Sequence, residues 1–224
     1  MRNLDAIADL VSGYDLVALQ EVDSGSLRSG FVNQTKYLAN HSDFPYWIHQ
    51  SNRKVGAVAY AGNGLLTRAE PDEILDYRLP RPISGRGALW ARFGHGDESL
   101  VVVALHLAIV PGARQAQLSY VARRLQDVRY KIILGDLNTN TRTRDMQQFV
   151  QALDLQTPTN ELLTYPSWRP QRSIDHILVS SGIGVVDSKV LEMDYSDHCP
   201  VSLAVELPPA LEGVFERTVA GVTA

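Results

Sequence analysis

The chain has 224 residues, of which 45% are hydrophobic and 21% are charged, and its formal net charge is −4 at pH 7. A globular protein of this composition can bury a full core, and its acidity argues against a broad positive surface for nucleic acid, although it allows a local basic cleft. The single cysteine, Cys199, excludes an internal disulfide and favours a reducing, cytoplasmic location, and no apolar run approaches the length of a membrane span.

Hydrophobic spacing and turn residues predict many short strands and a few helices along the chain. In the first half we expect, in chain order, a helix over 3–11, a strand over 16–19, a helix over 34–39, a strand led by 44–47, and strands over 56–60, 65–68 and 73–78. In the second half we expect a hairpin of strands over 88–93 and 100–107, a helix over 114–125, a buried strand over 131–134, a helix over 146–153, and strands over 173–179, 185–190 and 201–207.

This pattern indicates an α/β or α+β sandwich of two sheets flanked by helices. The chain shows neither a long polar linker nor a shift in composition. We therefore expect a single domain over residues 1–207, followed by a weakly patterned tail over residues 208–224.

Polar and titratable side chains stand at the ends of five predicted strands. They are Glu21 after LVALQ, His106 after VVVAL, Asp136 and Asn138 in GDLN, Asp175 in SIDHILV, and Asp197 with His198 in SDHCPV. Each residue alone has an ordinary explanation as a surface acid, a core histidine, a turn residue or a helix cap. Five such strand ends together favour one polar rim that binds a divalent metal and transfers protons. Oxygen ligands without a zinc-type cluster of cysteine and histidine favour Mg²⁺ or Mn²⁺ there.

The segments LQEVD, VVVALHLA, GDLN, SIDHILVS and SDHCPV, in this order, resemble the endonuclease/exonuclease/phosphatase superfamily, which includes deoxyribonuclease I. The resemblance extends from about Leu16 to Leu207. It implies a four-layered α/β sandwich of two mainly antiparallel sheets and metal-dependent hydrolysis of phosphoesters. Members of the superfamily open with a strand that ends in Asn before the LQEVD segment. Since this chain begins at the next helix, we expect that first strand to be absent.

The resemblance also implies roles for the residues at the metal and the attacking water. Glu21 corresponds to the main metal ligand, and Asp197 corresponds to a second acid on the metal side. Asp136 corresponds to the carboxylate that positions or deprotonates the attacking water, and Asn138 to a residue that contacts the phosphate.

Three further residues match catalytic positions of the superfamily. His198 corresponds to the histidine beside the scissile phosphate, and Asp175 to the carboxylate that orients it. His106 corresponds to a histidine near the leaving group. A carboxylate beside an imidazole fixes its tautomer and raises its basicity, as proton transfer at a phosphoester requires.

Asn63 and Arg86 are two further candidates, as substrate-binding residues. Asn63 stands between glycines, where the backbone can approach a ligand closely, and the guanidinium of Arg86 suits a phosphate. A hairpin turn and a solvated arginine explain the same residues equally well.

The sequence therefore predicts a Mg²⁺- or Mn²⁺-dependent phosphoesterase that hydrolyses phosphodiesters, in the manner of a nuclease, by in-line attack of an activated water. A phosphatase or a lipid phosphodiesterase of the same superfamily is the alternative enzyme. A binding protein that keeps the fold without catalysis is the alternative class. The expected partner is a phosphodiester substrate, with nucleic acid among the candidates. A lipid-directed member usually adds an apolar membrane-binding loop or anchor, and the sequence shows none, although Trp47 and Trp168 could lie at a rim.

Overall fold

The computed structural model describes residues 2–55, 59–80, 85–191, 193 and 195–215. Its helices within these ranges are α1 (Arg2–Val11), α2 (Gln34–His41), α3 (Pro111–Leu125) and α4 (Arg144–Ala152). Its strands are β1 (Leu16–Asp23), β2 (Tyr46–Val55), β3 (Ala59–Thr67), β4 (Glu73–Tyr77), β5 (Gly87–Phe93), β6 (Leu100–His106), β7 (Tyr130–Asp136), β8 (Leu155–Gln156), β9 (Asp175–Ser180), β10 (Gly184–Val190) and β11 (Val201–Glu206). The strand predicted over residues 56–60 falls partly outside the described residues. No helix in the described ranges is long and apolar enough to cross a membrane.

The largest sheet has six strands in the order β4-β5-β6-β7-β9-β8. β6 and β7 pair in parallel, joined by α3, whereas the other neighbours in this sheet are antiparallel. A second sheet has the order β1-β3-β2, and β10 pairs with β11; all of these pairs are antiparallel. A parallel pair needs a crossover between its strands, and α3 provides it.

Both faces of the six-stranded sheet are buried, which explains the continuous apolar runs of its central strands. Side chains of β6 alternate between these faces: Val101, Val103 and Leu105 pack with α3 and α4, and Leu100, Val102 and Ala104 pack with residues of β3 and β11. On the far side of β3, Leu66 packs with Ala8 of α1 and Leu38 of α2. The layers are therefore helices, sheet, sheet and helices, and the predicted four-layered α/β sandwich is confirmed.

Several predicted elements are longer in the structure than in the sequence pattern. α3 begins at Pro111, whose ring suits the first turn of a helix, rather than at Arg114. β1 continues past Leu19 to Asp23 across a bulge. The predicted boundary at residue 207 stays a prediction, and Leu211 beyond it is buried in the core.

Candidate functional site

Three strands bring polar side chains to one edge of the six-stranded sheet. Because β6 and β7 are parallel, their ends coincide and His106 lies beside Asp136 in register. The antiparallel β9 begins there and places Asp175 opposite Asp136. On the other side of β6, Gly87 of β5 pairs with His106, so Arg86 lies next to the same edge.

Gly135 allows β6 and β7 to approach each other closely at this edge. Its φ is +134°, and a Cβ atom there would lie 2.0 Å from the carbonyl oxygen of Leu105. A positive φ is costly for residues with a side chain, and backbone atoms cannot yield that much room. Any larger residue would push the two strands apart where His106 meets Asp136.

Asp136 is buried, and both of its carboxylate oxygens accept hydrogen bonds. The backbone N–H of Asn138 donates to Oδ1 at 2.8 Å, and Nδ2 of Asn138 donates to Oδ2 at 3.0 Å. Burial raises the pKa of Asp136, but hydrogen bonds from His106 and Asn138 outweigh it and lower that pKa below its usual value. Nδ2 of Asn138 also donates to the Leu107 carbonyl at 3.0 Å. The amide donors of Asn138 thus hold a charged Asp136, and reach a phosphate only by giving up these bonds.

His106 is held in one tautomer by its two neighbours. Its Nε2 lies 3.2 Å from Oδ2 of Asp136, and its Nδ1 lies 3.3 Å from Nη1 of Arg86. A guanidinium can only donate, so Nδ1 accepts from Arg86 and the ring proton on Nε2 faces Asp136. Arg86, His106 and Asp136 form a chain of hydrogen bonds along the edge of the sheet.

His198 forms a second pair with Asp175. Its Nδ1 lies 2.8 Å from Oδ2 of Asp175, and the hydroxyl of Thr164 donates to the same oxygen at 2.5 Å. The ring of Tyr165 packs against the imidazole with 4.8 Å between ring centroids. Burial lowers the pKa of His198, but the hydrogen bond and negative charge of Asp175 overcome burial and raise that pKa above its ordinary value. Nε2 is then the ring nitrogen available to a substrate.

The two pairs meet in one cluster. Asp136, Asp175 and His198 each offer a potential ligand atom, and these atoms all lie within 4.8 Å of one another. Carboxylate oxygens of Asp136 and Asp175 already accept hydrogen bonds from N–H or O–H groups. Donors of this kind compete with a cation, so the cluster is better suited to proton transfer than to coordination.

Glu21 approaches the same region from the second sheet. Residues 20 and 21 form a bulge in β1, between the pairs that Leu19 and Val22 make with β3. Glu21 has a left-handed φ of 55°, and such strain at a bulge commonly re-aims a side chain at a functional site. Its side chain is 66% exposed, and Oε1 lies 3.5 Å from Nη1 of Arg86. This long ion pair links the two sheets across the site.

The donor set of Glu21 fits a hard divalent cation. Within the described part of the chain, the exposed carboxylate has one long contact, with Arg86, which leaves lone pairs free for a metal. Mg²⁺ in proteins keeps several waters and needs only one or two carboxylates. Glu21 is therefore a described residue that could hold a divalent cation such as Mg²⁺ or Mn²⁺.

The remaining predicted residues lie at different depths. Asp197 is exposed, and its backbone carbonyl accepts the N–H of Ser167. Asp197 is not a member of the close group around Asp136. Asn63 is fully buried: its Nδ2 donates to Oε1 of Gln50 at 3.0 Å and to the carbonyl of Gly87 at 3.1 Å. Asn63 therefore holds the start of β5 next to the site and its substrate-binding role stays a prediction, whereas Arg86 contacts Glu21 and His106.

Sequence reasoning missed Thr164 and Tyr165, the two residues that support His198. They precede the first residue of β9 by eleven and ten positions, in a loop rich in turn residues. Neither a strand end nor a charge marks them. The GDLN and SDHCPV motifs give no indication of which loop packs beside the histidine.

The four-layered sandwich and a rim of carboxylates and histidines define a class of metal-assisted phosphoester hydrolases. The model of the endonuclease/exonuclease/phosphatase family matches residues 1–198, and the chain belongs to this family. Members of the family are hydrolases that act on phosphoester bonds and generally use a divalent metal. A comparison with curated protein sequences finds no match.

Solved structures share the fold at low sequence identity. An endonuclease/exonuclease/phosphatase family protein from Bacteroides thetaiotaomicron has a TM-score of 0.75 at 18% identity, covering 93% of this chain and 87% of that one. A mannosyl-6-phosphatase from the same species has a TM-score of 0.72 at 18% identity, covering 92% and 91%. The catalytic domain of human Nocturnin with bound sulfate has a TM-score of 0.67 at 17% identity, covering 91% and 88%.

Proposed function

We propose that this protein is a Mg²⁺- or Mn²⁺-dependent phosphodiesterase that acts in the manner of a nuclease. The observation that carries the proposal is the convergence of the His198–Asp175 pair with the charged Asp136. Such a group orients water and accepts its proton, and Arg86 and Glu21 lie on the opposite side of the same edge.

His198 is the proton acceptor in this proposal. Asp175 holds the proton on Nδ1, so Nε2 is free to accept a proton from the attacking water. Asp136 remains ionised because its pKa is lowered, and it orients that water. The water oxygen bonds to phosphorus as the bond to the leaving oxygen breaks; the leaving alkoxide takes a proton from solvent, and His198 returns to solvent the proton that it accepted. The net change is the addition of one water.

Charge on the phosphoryl oxygens is neutralised from the other side. Arg86 donates to His106 and Glu21, and its guanidinium retains further N–H groups for a phosphoryl oxygen. His106 fixes both Arg86 and Asp136. A divalent cation held by Glu21 would supply further positive charge to the same oxygens.

The test is hydrolysis of bis(p-nitrophenyl) phosphate and of p-nitrophenyl phosphate with Mg²⁺, with Mn²⁺ and with EDTA. We expect the diester to be the better substrate, and His198→Ala to lower its turnover by roughly 10²- to 10⁴-fold. His95→Ala is the matched control, because His95 is exposed in the turn at the opposite end of β5.

Two results would contradict the proposal. If the wild-type protein hydrolyses both esters no faster than His198→Ala does, the assignment of His198 as a catalytic residue is wrong. A preference for the monoester would make the protein a phosphatase of the same family instead.

A further inference from the structure

The loop of residues 164–172 is fastened to the segment that carries His198. The N–H of Ser167 donates to the carbonyl of Asp197 at 2.8 Å, and its hydroxyl donates to the carbonyl of Ser196 at 2.6 Å. The N–H of Cys199 donates to the carbonyl of Thr164 at 2.8 Å. These bonds attach the loop to residues on both sides of His198 in sequence, so the loop keeps a fixed position beside that histidine.

Trp168 occupies the tip of this loop, and its indole is 73% exposed. The tip is closed by the N–H of Arg169, which donates to the carbonyl of Pro166 at 3.0 Å. The backbone is thus held while the largest side chain of the loop remains in solvent. Adjacent Cα atoms are about 3.8 Å apart, so Trp168 follows directly on a residue bonded to the neighbour of His198.

Cationic and aromatic side chains lie on the same loop as Trp168. Arg169 and Arg172 are exposed on the same loop, and the guanidinium of Arg172 lies 5.7 Å from the ring of Tyr165. Ser167 and Gln171 add polar groups to this loop. An exposed indole flanked by guanidinium groups is the combination by which proteins bind unpaired bases, through stacking and phosphate contacts.

We propose that Trp168 forms a stacking subsite for a nucleobase of the substrate, next to the scissile phosphate. The inference rests on the proposed phosphodiesterase function and specifies its substrate class as nucleotidyl diesters with an unpaired base. The base stacks on the indole, and Arg169 and Arg172 face the phosphates of the same strand. Nothing in this arrangement requires a duplex.

The experiment compares two diesters with the same coloured leaving group, p-nitrophenyl thymidine 5′-phosphate and p-nitrophenyl methyl phosphate. Only the first carries a base. We expect Trp168→Ala to raise KM for the thymidine ester by about tenfold more than for the methyl ester, with Trp168→Phe intermediate, because stacking on one aromatic ring contributes on this scale. Trp47→Ala is the control, because Trp47 is a partly exposed tryptophan near the start of β2. Its partner Leu66 pairs with Val17, at the end of β1 that is remote from Glu21.

A second measurement does not depend on turnover. Thymidine 5′-monophosphate should quench the part of the tryptophan emission that Trp168→Phe removes, whereas inorganic phosphate should not. If Trp168→Ala raises KM equally for both esters, and thymidine 5′-monophosphate does not quench the emission, the proposed subsite is wrong. If wild-type protein hydrolyses neither ester but its emission is quenched, the proposed chemistry fails and the base site stands.

Discussion

Replacing Gly135 by alanine tests whether the close approach of β6 and β7 assembles the site. The added Cβ would lie 2.0 Å from the Leu105 carbonyl oxygen, and Gly135 has a φ of +134°. The strained φ costs roughly 1–3 kcal/mol and the overpacking a further 1–3 kcal/mol, which gives about 2–6 kcal/mol in total. This is a large part of a typical unfolding free energy of about 5–15 kcal/mol.

Two other glycines separate the contributions to this loss. Gly30 has a φ of +63° and nothing within 4 Å of the position that an added Cβ would take, so Gly30→Ala isolates the conformational cost of roughly 1–2 kcal/mol. Gly13 has open space and no positive φ, so Gly13→Ala should be neutral or stabilising by about 0.4–1 kcal/mol.

Urea unfolding followed by circular dichroism measures the three variants against wild type. Phosphodiester turnover at a temperature where Gly135→Ala is still folded measures the effect on the site. We expect turnover to fall at least tenfold in Gly135→Ala, because the His106–Asp136 contact would lengthen. A Gly135→Ala variant no less stable than Gly30→Ala, with wild-type turnover, would refute the reasoning.

Three further predictions concern single groups. Glu21→Gln should keep the fold and weaken Mg²⁺ and Mn²⁺ binding in calorimetry; equal binding by both proteins would exclude Glu21 as the ligand. Because the pKa of His198 is raised, the acid limb of the pH–rate profile should lie above about 6.5, the ordinary histidine value. Asp175→Asn should shift the acid limb to lower pH, and the loss of turnover that it causes should be non-additive with the loss caused by His198→Ala. Additive losses, or an acid limb that does not move, would contradict the pairing of His198 with Asp175. Hydrogen bonds from the following loop lower the pKa of Asp23 to about 2, against the opposing effect of burial. A carboxyl with a depressed folded pKa stabilises the fold above its unfolded pKa, so this stability should be lost as pH falls from about 4 to 2. Asp23→Asn should flatten that part of the acid unfolding curve. An unchanged curve would mean that Asp23 is not the group responsible for the loss of stability.

The sequence predicts the layers well, because apolar runs such as VVVAL and the turn residues between them fix most strand positions. It also places four of the site residues at strand ends: His106, Asp136, Asp175 and His198. Their convergence depends on the parallel pairing of β6 with β7 and on β9 as its neighbour, and a single sequence does not encode strand order directly. Gly135 looks like a turn residue in sequence, but in the structure it remains inside β7 and permits a close backbone contact.

Local geometry accounts for the features that sequence reasoning did not anticipate. The alternation of β1 gives no sign of the bulge that turns Glu21 toward Arg86. Asn63 between two glycines suggests an exposed turn, yet it lies in the middle of β3 and is buried against Gln50. In both cases the contacts come from another sheet or strand, so spacing along the chain carries no information about them.

The site draws on residues from Glu21 to His198, and therefore on nearly the full length of the chain. Contacts between residues so far apart in sequence form late in folding, since the intervening chain must first be ordered. We therefore expect the central strands β5 to β9 to pair before β1 and the His198 segment are in place. During refolding, recovery of catalysis should consequently lag behind recovery of secondary structure, and activity reports on the docking of the two sheets.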